Sequence, residues 1–227
     1  MDFYSYHFVS ASAGDFNNSK LNSSLANLDE YYIPHFYSNN KESLASVYNK
    51  AIKEIIEHSQ KNNIYKHIIT FVHDDVDIED INLYKKLSDG LQKYNIVGLA
   101  GTKQFSCKYP PVWNNTEYKN YSGAVAHTKD GDTWMTSFGK FGQVLILDGL
   151  FLSIELETII KNDLSFDENI SNFHFYDIDF CLSAHKNKVT MGTIPIWVTH
   201  NSVGDWTKSE DWKAGAEKFI KKWNKLL

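Results

Sequence analysis

Residues 65–76 read YKHIITFVHDDV, and the reading of this stretch decides the fold. Tyr65 to Val72 is an apolar, β-branched run of the length of a buried strand, and it stops at His73-Asp74-Asp75-Val76. Upstream, Tyr4 to Ser10 (YSYHFVS) reads as a strand ending in Ala13-Gly14-Asp15, and Tyr31 to Ser38 as another before Asn39-Asn40. From Glu42 to Lys61 the period changes, because Leu44, Tyr48, Ala51, Ile52 and Ile55 fall on one face of a helix. Downstream, Asp80 to Tyr94 reads as helix and Ile96 to Ala100 as a strand ending at Gly101. Strands that alternate with helices imply parallel pairing through crossover helices, hence an α/β sandwich.

The second half is less regular. Phe105 to Asp132, with Pro110-Pro111, Trp113, Asn114-Asn115 and Ser122-Gly123, reads as a long irregular connection of the functional kind. Gly142 to Asp148 (GQVLILD) reads as a strand backed by Gly149, Ser153 to Lys161 as a short helix and Asp177 to Asn187 as another helix. Thr193 to His200 reads as a strand, and Ser209 to Leu227 as a terminal helix. With no internal repeat or Pro/Gly-rich linker, residues 1–227 are expected to form one domain.

Composition narrows the function classes. The chain has 227 residues, 42% of them hydrophobic, and a formal net charge of −5, so neither disorder nor a membrane span fits. No basic, then apolar, leader opens the sequence, which makes the cytoplasm the expected compartment. Cys107 and Cys181 alone cannot build a thiolate metal site, so any metal must use oxygen and imidazole ligands. All 23 basic residues are lysine. Without guanidinium clamps, a phosphorylated substrate must be neutralised by metal, lysine or backbone N–H groups. The mild acidity argues against nucleic acid as a partner.

Several residues can carry chemistry. Ligands of open α/β sheets sit beyond the carboxyl ends of the strands, where Asp74 and Asp75 lie; adjacent carboxylates there either share a cation such as Mg²⁺ or Mn²⁺ or form a solvated turn. Asp177 and Asp179, two positions apart on a helix, point roughly 200° from one another and cannot face one pocket. Asp177 is a catalytic candidate or an N-cap, and Asp179 reads as supporting structure. His200, at a strand end before Asn201-Ser202-Val203-Gly204, is placed to complete or cover a metal site. Asn49 is polar on an otherwise apolar-facing turn, and Gly101-Thr102 lets backbone approach a ligand or makes a plain turn. Trp212, Ala216, Phe219 and Trp223 form a helical stripe opposite Lys213, Lys218, Lys221, Lys222 and Lys225, which suits docking on the core or contact with an anionic membrane surface.

Taken in order, these segments resemble glycosyltransferase family 2 enzymes, in particular small bacterial members whose metal motif is a histidine followed by two aspartates. The matching residues are Phe71 to Val76, Leu147-Asp148-Gly149-Leu150-Phe151, Phe166-Asp167-Glu168 with Phe173 to Phe180, and Val198 to Gly204. The resemblance implies a GT-A (Rossmann-like) three-layer α/β/α sandwich with a mainly parallel central sheet. Residues 1–101 would form the nucleotide-sugar-binding half, and 102–227 the acceptor-binding and catalytic half. It implies Asp75 and His200 as ligands of a divalent metal, Mn²⁺ or Mg²⁺, and Asp177 as general base. Nucleotide contacts would fall to Asn49, Asp74, Gly101, Thr102 and Ser202, and Trp113, Asp148 and Gly149 would border the sugar or acceptor.

The activity so implied is inverting transfer from a nucleoside-diphosphate sugar, a UDP-sugar, to a hydroxyl of a bacterial surface glycan or lipid-linked acceptor, as in lipopolysaccharide or capsule synthesis, with peripheral contact at the inner membrane face. Two departures stand out. Many relatives carry an arginine after the catalytic acid, where this chain has Ser183, and the metal motif opens on His73 rather than an acid. A nucleotidyltransferase or phosphohydrolase is a rival reading, without a GxxxxGK[ST] loop to support it. A non-catalytic carbohydrate-binding or scaffold protein is another, since aromatic richness also suits sugar stacking.

Overall fold

The computed structural model describes residues 3–28, 31–61, 65–201 and 209–224. The nucleus expected from residues 65–76 is present: β1 (Tyr4–Ala11), β2 (Ile33–Tyr37) and β3 (Lys66–Val72) pair in parallel, and α2 (Leu44–Lys61) crosses between β2 and β3. The helix starts where the Ser43 hydroxyl accepts the Ser46 N–H, and it buries Leu44, Val47, Tyr48, Ala51, Ile52 and Ile55 on one face. A short α1 (Lys20–Leu25) lies between β1 and β2.

Beyond β3 the chain forms β4 (Val76–Ile78), α3 (Leu83–Leu91), β5 (Ile96–Gly98) and β6 (Ala100–Thr102). A hairpin of β7 (Tyr121–Lys129) and β8 (Asp132–Gly139) follows, then β9 (Gln143–Val144), β10 (Ile146–Leu147), β11 (Phe151–Glu155) and α4 (Leu156–Lys161). The chain closes with α5 (Tyr176–Lys186), β12 (Met191–Thr193), β13 (Val198–His200) and α6 (Glu210–Trp223).

Two sheets result. The larger runs β2-β1-β3-β11-β5-β12-β9. Because β11 is antiparallel to both β3 and β5, all strands except β11 and β9 share one direction, which is the mainly parallel sheet expected. The smaller sheet runs β10-β6-β7-β13-β4, with β8 on β7. Side chains of β3 alternate between two apolar layers: Ile69 and Phe71 meet α2, α4, α5 and α6, while Ile68 and Val72 meet α1, α3 and the smaller sheet.

Six expectations need correction. Residues 121–139 are a hairpin rather than irregular connection; β8 is exposed along most of its length, so it lacks the apolar alternation that marks a strand. Ser153 lies in strand β11, whose Phe151–Ile154 is buried on both faces between β3 and β5, and the helix begins only at Leu156. Ile96–Ala100, Gly142–Asp148 and Thr193–His200 each divide into two short strands because the chain passes from one sheet to the other within them. The helix expected over Asp80–Tyr94 is confined to Leu83–Leu91, with β4 ahead of it.

A histidine cluster lies under α2. His7 Nδ1 meets His35 Nε2 at 3.1 Å and His7 Nε2 meets His67 Nδ1 at 2.9 Å, while His35 reaches Glu54 of α2 at 3.4 Å and the His58 ring abuts His7. Burial, reinforced by the neighbouring imidazoles, pushes the His7 pKa down to about 3.

Candidate active site

The end of β3 delivers His73, Asp74 and Asp75, and strand pairing brings the third partner. β13 runs antiparallel to β4 with His200 opposite Val76, and Asn201 N–H donates to the Asp75 carbonyl at 2.9 Å. His200 Nε2 thereby lies 3.3 Å from Asp75 Oδ2. His73, Asp75 and His200 offer ligand atoms that all lie within 4.8 Å of one another. Asp75 Oδ1 is buried without a hydrogen-bond partner, so the site contains an unused acceptor of the kind a cation satisfies.

The protonation states suit a metal. Burial opposes ionisation of Asp75, but the hydrogen bond and charge of His200 and the charge of His73 outweigh it and hold its pKa below the usual carboxylate value. Burial pushes His73 towards the neutral, ligating form. The Tyr176 hydroxyl donates to the Gly149 carbonyl at 3.0 Å and lies 2.7 Å from His73 Nε2. That oxygen is thus set to accept from Nε2–H, which leaves the Nδ1 lone pair of His73 for a cation. Asp74 is half-buried beside this group without belonging to it, and its carbonyl accepts from Leu21 N–H.

A cavity of about 680 Å³ opens next to the cluster, bordered by His73, His200, Asp148, Gly149, Asp177 and the rings of Trp113, Phe138 and Phe173. Asp177 stands in the first turn of α5, where its Oδ2 accepts from Gly149 N–H at 2.9 Å. A Cβ on Gly149 would fall 2.4 Å from the Tyr176 hydroxyl and 2.8 Å from the Asp177 Cβ, so only glycine permits this packing. Burial, and then the charge of Asp148, raise the Asp177 pKa to about 7. An ordinary carboxylate value, with full ionisation at neutral pH, would be the expectation from sequence; the enclosed setting overrides it. Asp148 takes the Trp113 indole N–H on Oδ2, at 2.5 Å, and Leu150 N–H on Oδ1, at 2.9 Å.

The other predicted contacts are dispersed. Asn49 donates to the Phe166 carbonyl and to Glu168, at 2.9 and 2.8 Å, and accepts from Phe166 N–H. It clamps the 166–168 loop and borders a second concavity with Asp167, Asp179, Ser183 and Lys222. Gly101 backs onto the Ile146 carbonyl, which a Cβ would approach to 2.1 Å, and Thr102 donates to the Gln104 carbonyl; neither borders the first cavity. Ser202 lies outside the described residues. Asp179 faces away from Asp177 into the second concavity, as helical geometry requires, and accepts from Lys222 and from the Trp223 indole, both at 2.7 Å. Lys222 also reaches Asp167 at 2.8 Å, so it bridges two carboxylates instead of joining the solvated lysine face. The local cation near Ser183 is therefore a lysine from α6.

Sequence reasoning missed Tyr176 and His127. Tyr176 adjoins Asp177 but carries no mark of its link to His73. His127, stacked on Trp134 and 5.8 Å from the His200 ring, lies on a strand that the sequence pattern hid.

The fold is of the GT-A type, and the family match places the chain among glycosyltransferases. Residues 17–223 match the model of a glycosyltransferase-like family, and the chain belongs to that family. Among solved structures, TarS 1–349 of S. aureus in complex with UDP aligns with a TM-score of 0.55 at 10% identity, over 95% of this chain and 64% of that one. The same protein in complex with UDP-GlcNAc aligns at 0.53 and 10% identity, over 92% and 60%. A197 from STIV aligns at 0.44 with 16% identity, over 83% and 81%. At these identities the TarS likeness shows a shared fold, and the chain spans less than two thirds of the TarS structures. No curated protein matches the sequence significantly. Among the described residues no helix is long and apolar enough to cross a membrane.

Proposed function

We propose that this protein transfers a sugar, with inversion, from a nucleoside-diphosphate sugar to a hydroxyl of a bacterial surface glycan or lipid-linked acceptor, and that it depends on a divalent metal. The observation that carries this reading is the opening of two groups onto one cavity: the His73–Asp75–His200 cluster, through its two imidazoles, and a half-buried carboxylate, Asp177. TarS is known with UDP and UDP-GlcNAc, which supports a UDP-sugar as donor.

His73, Asp75 and His200 would hold the cation, and two imidazoles beside one carboxylate favour Mn²⁺ over the oxygen-loving Mg²⁺. A cation held there would supply Lewis-acid stabilisation for a departing diphosphate, a task for which the chain has no arginine. Asp177 accepts the proton of the attacking hydroxyl, a contribution of about 10²–10⁴-fold. The Gly149 N–H fixes one oxygen of that carboxylate, and the pKa of about 7 matches a base working near neutrality. The surrounding rings limit water, which would otherwise compete with the acceptor. A single displacement with the base opposite the leaving group inverts the anomeric centre. The exposed Lys213, Lys218 and Lys221 of α6 support a peripheral contact with an anionic inner membrane face.

The test is UDP release from UDP-sugars by the purified protein, with Mn²⁺ and with chelator, followed by product anomer assignment by NMR. Activity should vanish in chelator and in Asp75→Asn, and the product should be inverted. Release indifferent to both overturns the metal role. Inorganic phosphate as product would instead mark a phosphohydrolase, and binding without turnover a carbohydrate-binding protein.

A further inference from the structure

The cavity has an unusual charge inventory. Among the described residues that border it there is no lysine, and the chain has no arginine; its carboxylates are Asp148 and Asp177. Its remaining ionisable borders are four imidazoles and two tyrosines. Two of the imidazoles, His73 and His200, belong to the cation cluster. Among the described residues, a phosphate or carboxylate entering beyond the cluster would meet Asp148 and Asp177 and no lysine.

The rest of the wall is aromatic. Trp113 is held in one orientation by its indole bond to Asp148 and by edge contacts with Tyr121 and Phe138, at centroid distances of 5.9 and 5.2 Å. Tyr109 and Phe173 border the same cavity, the first edge-on to Trp212 at 5.8 Å and the second 5.6 Å from the His73 ring, and both leave much of their ring surface, 62% and 48%, open to it or to solvent. Fixed rings beside carboxylates match one ligand chemistry. The C–H face of a pyranose packs on the rings, and its hydroxyls donate to the acidic oxygens.

We infer that the acceptor end bound in this cavity is an uncharged sugar ring, recognised by stacking on the Trp113, Tyr109 and Phe173 rings and by hydroxyl donation to Asp148 and Asp177. The inference rests on the transferase reading above and narrows it. It excludes acceptors whose attacking residue carries a phosphate or uronate group.

The experiment titrates the protein, loaded with UDP and Mn²⁺, with a panel of neutral methyl hexopyranosides and N-acetylhexosaminides, their 6-phosphates, and the matching methyl uronates. Intrinsic tryptophan fluorescence and ligand-observed NMR report binding. At least one neutral member should bind at least tenfold more tightly than its charged counterparts, and Tyr109→Ala and Phe173→Ala should each weaken it several-fold. Equal or tighter binding of the charged members overturns the inference, as does the absence of binding by every neutral member. UDP-sugar hydrolysis by the same preparation, measured without any acceptor, tests the transferase reading separately. A protein that hydrolyses donor yet prefers an anionic ring refutes only this narrower inference.

Discussion

The raised pKa of Asp177 yields a sharp prediction about pH. A move from 3.8 to about 7 is roughly three units, which at 1.36 kcal/mol per unit amounts to about 4 kcal/mol of opposition to the charged form. In the proposed role of base, Asp177 is competent only when ionised. In the free enzyme that means about half of the molecules at pH 7, about one tenth at pH 6 and about nine tenths at pH 8. The profile of kcat/KM, measured at saturating Mn²⁺ from pH 5.5 to 9, should therefore fall on the acid side with a midpoint no higher than about 7, since a neighbouring dication favours the ionised carboxylate. Asp148→Asn keeps the shape of the side chain that receives Trp113 but removes the opposing charge. Because burial is the larger cause, the midpoint should drop by less than half of the roughly three-unit shift. Asp177→Asn should lose about 10²–10⁴ in kcat with the fold intact. An acid limb that stays in place in Asp148→Asn, or turnover within tenfold of native in Asp177→Asn, would refute this account of the base.

Other consequences are as direct. Gly149→Ala forces the new methyl into Tyr176 and Asp177, so kcat should fall at least a hundredfold, while Mn²⁺ titration still detects the imidazole–carboxylate cluster. His7, 0% exposed, resists protonation down to about pH 3 whereas the unfolded chain accepts it at 6.5, so stability is lost as pH falls through that window. Between pH 7.5 and 5 this residue should account for about 2 kcal/mol of the loss seen in urea unfolding, and His7→Phe should lack that part. Lys222→Met strands Asp179, which is 1% exposed, without its cation. With the lysine a third exposed, the cost should be about 2 kcal/mol, or a melting point lower by about 4–8 °C, largely restored by Lys222→Arg.

What could be read from the sequence was whatever local periodicity encodes. The strand ending at His73-Asp74-Asp75, the amphipathic α2 and the terminal α6 carry strong two- or 3.6-residue patterns, and they form close to where those patterns lie. β11 did not announce itself because burial on both faces erases alternation, and β8 because exposure on both faces erases it in the opposite way. In the site, Asp75, His200, Asp148, Gly149, Trp113 and Asp177 converge on one region, whereas Asn49, Gly101 and Thr102 are engaged elsewhere. For those three, the pattern gave residue type and position in an element but no direction. The bond from Tyr176 to His73 joins segments distant in sequence, and only tertiary packing creates it.

The division of the cation cluster between β3 and β13 matters for how the protein is made. A chain leaving the ribosome displays His73 and Asp75 early, but it gains His200 only after the whole hairpin, β11 and α5 have emerged and β13 has zipped onto β4. Half-made molecules and prematurely terminated products lack the last imidazole, so the three-residue cluster exists only in a chain that has folded through β13.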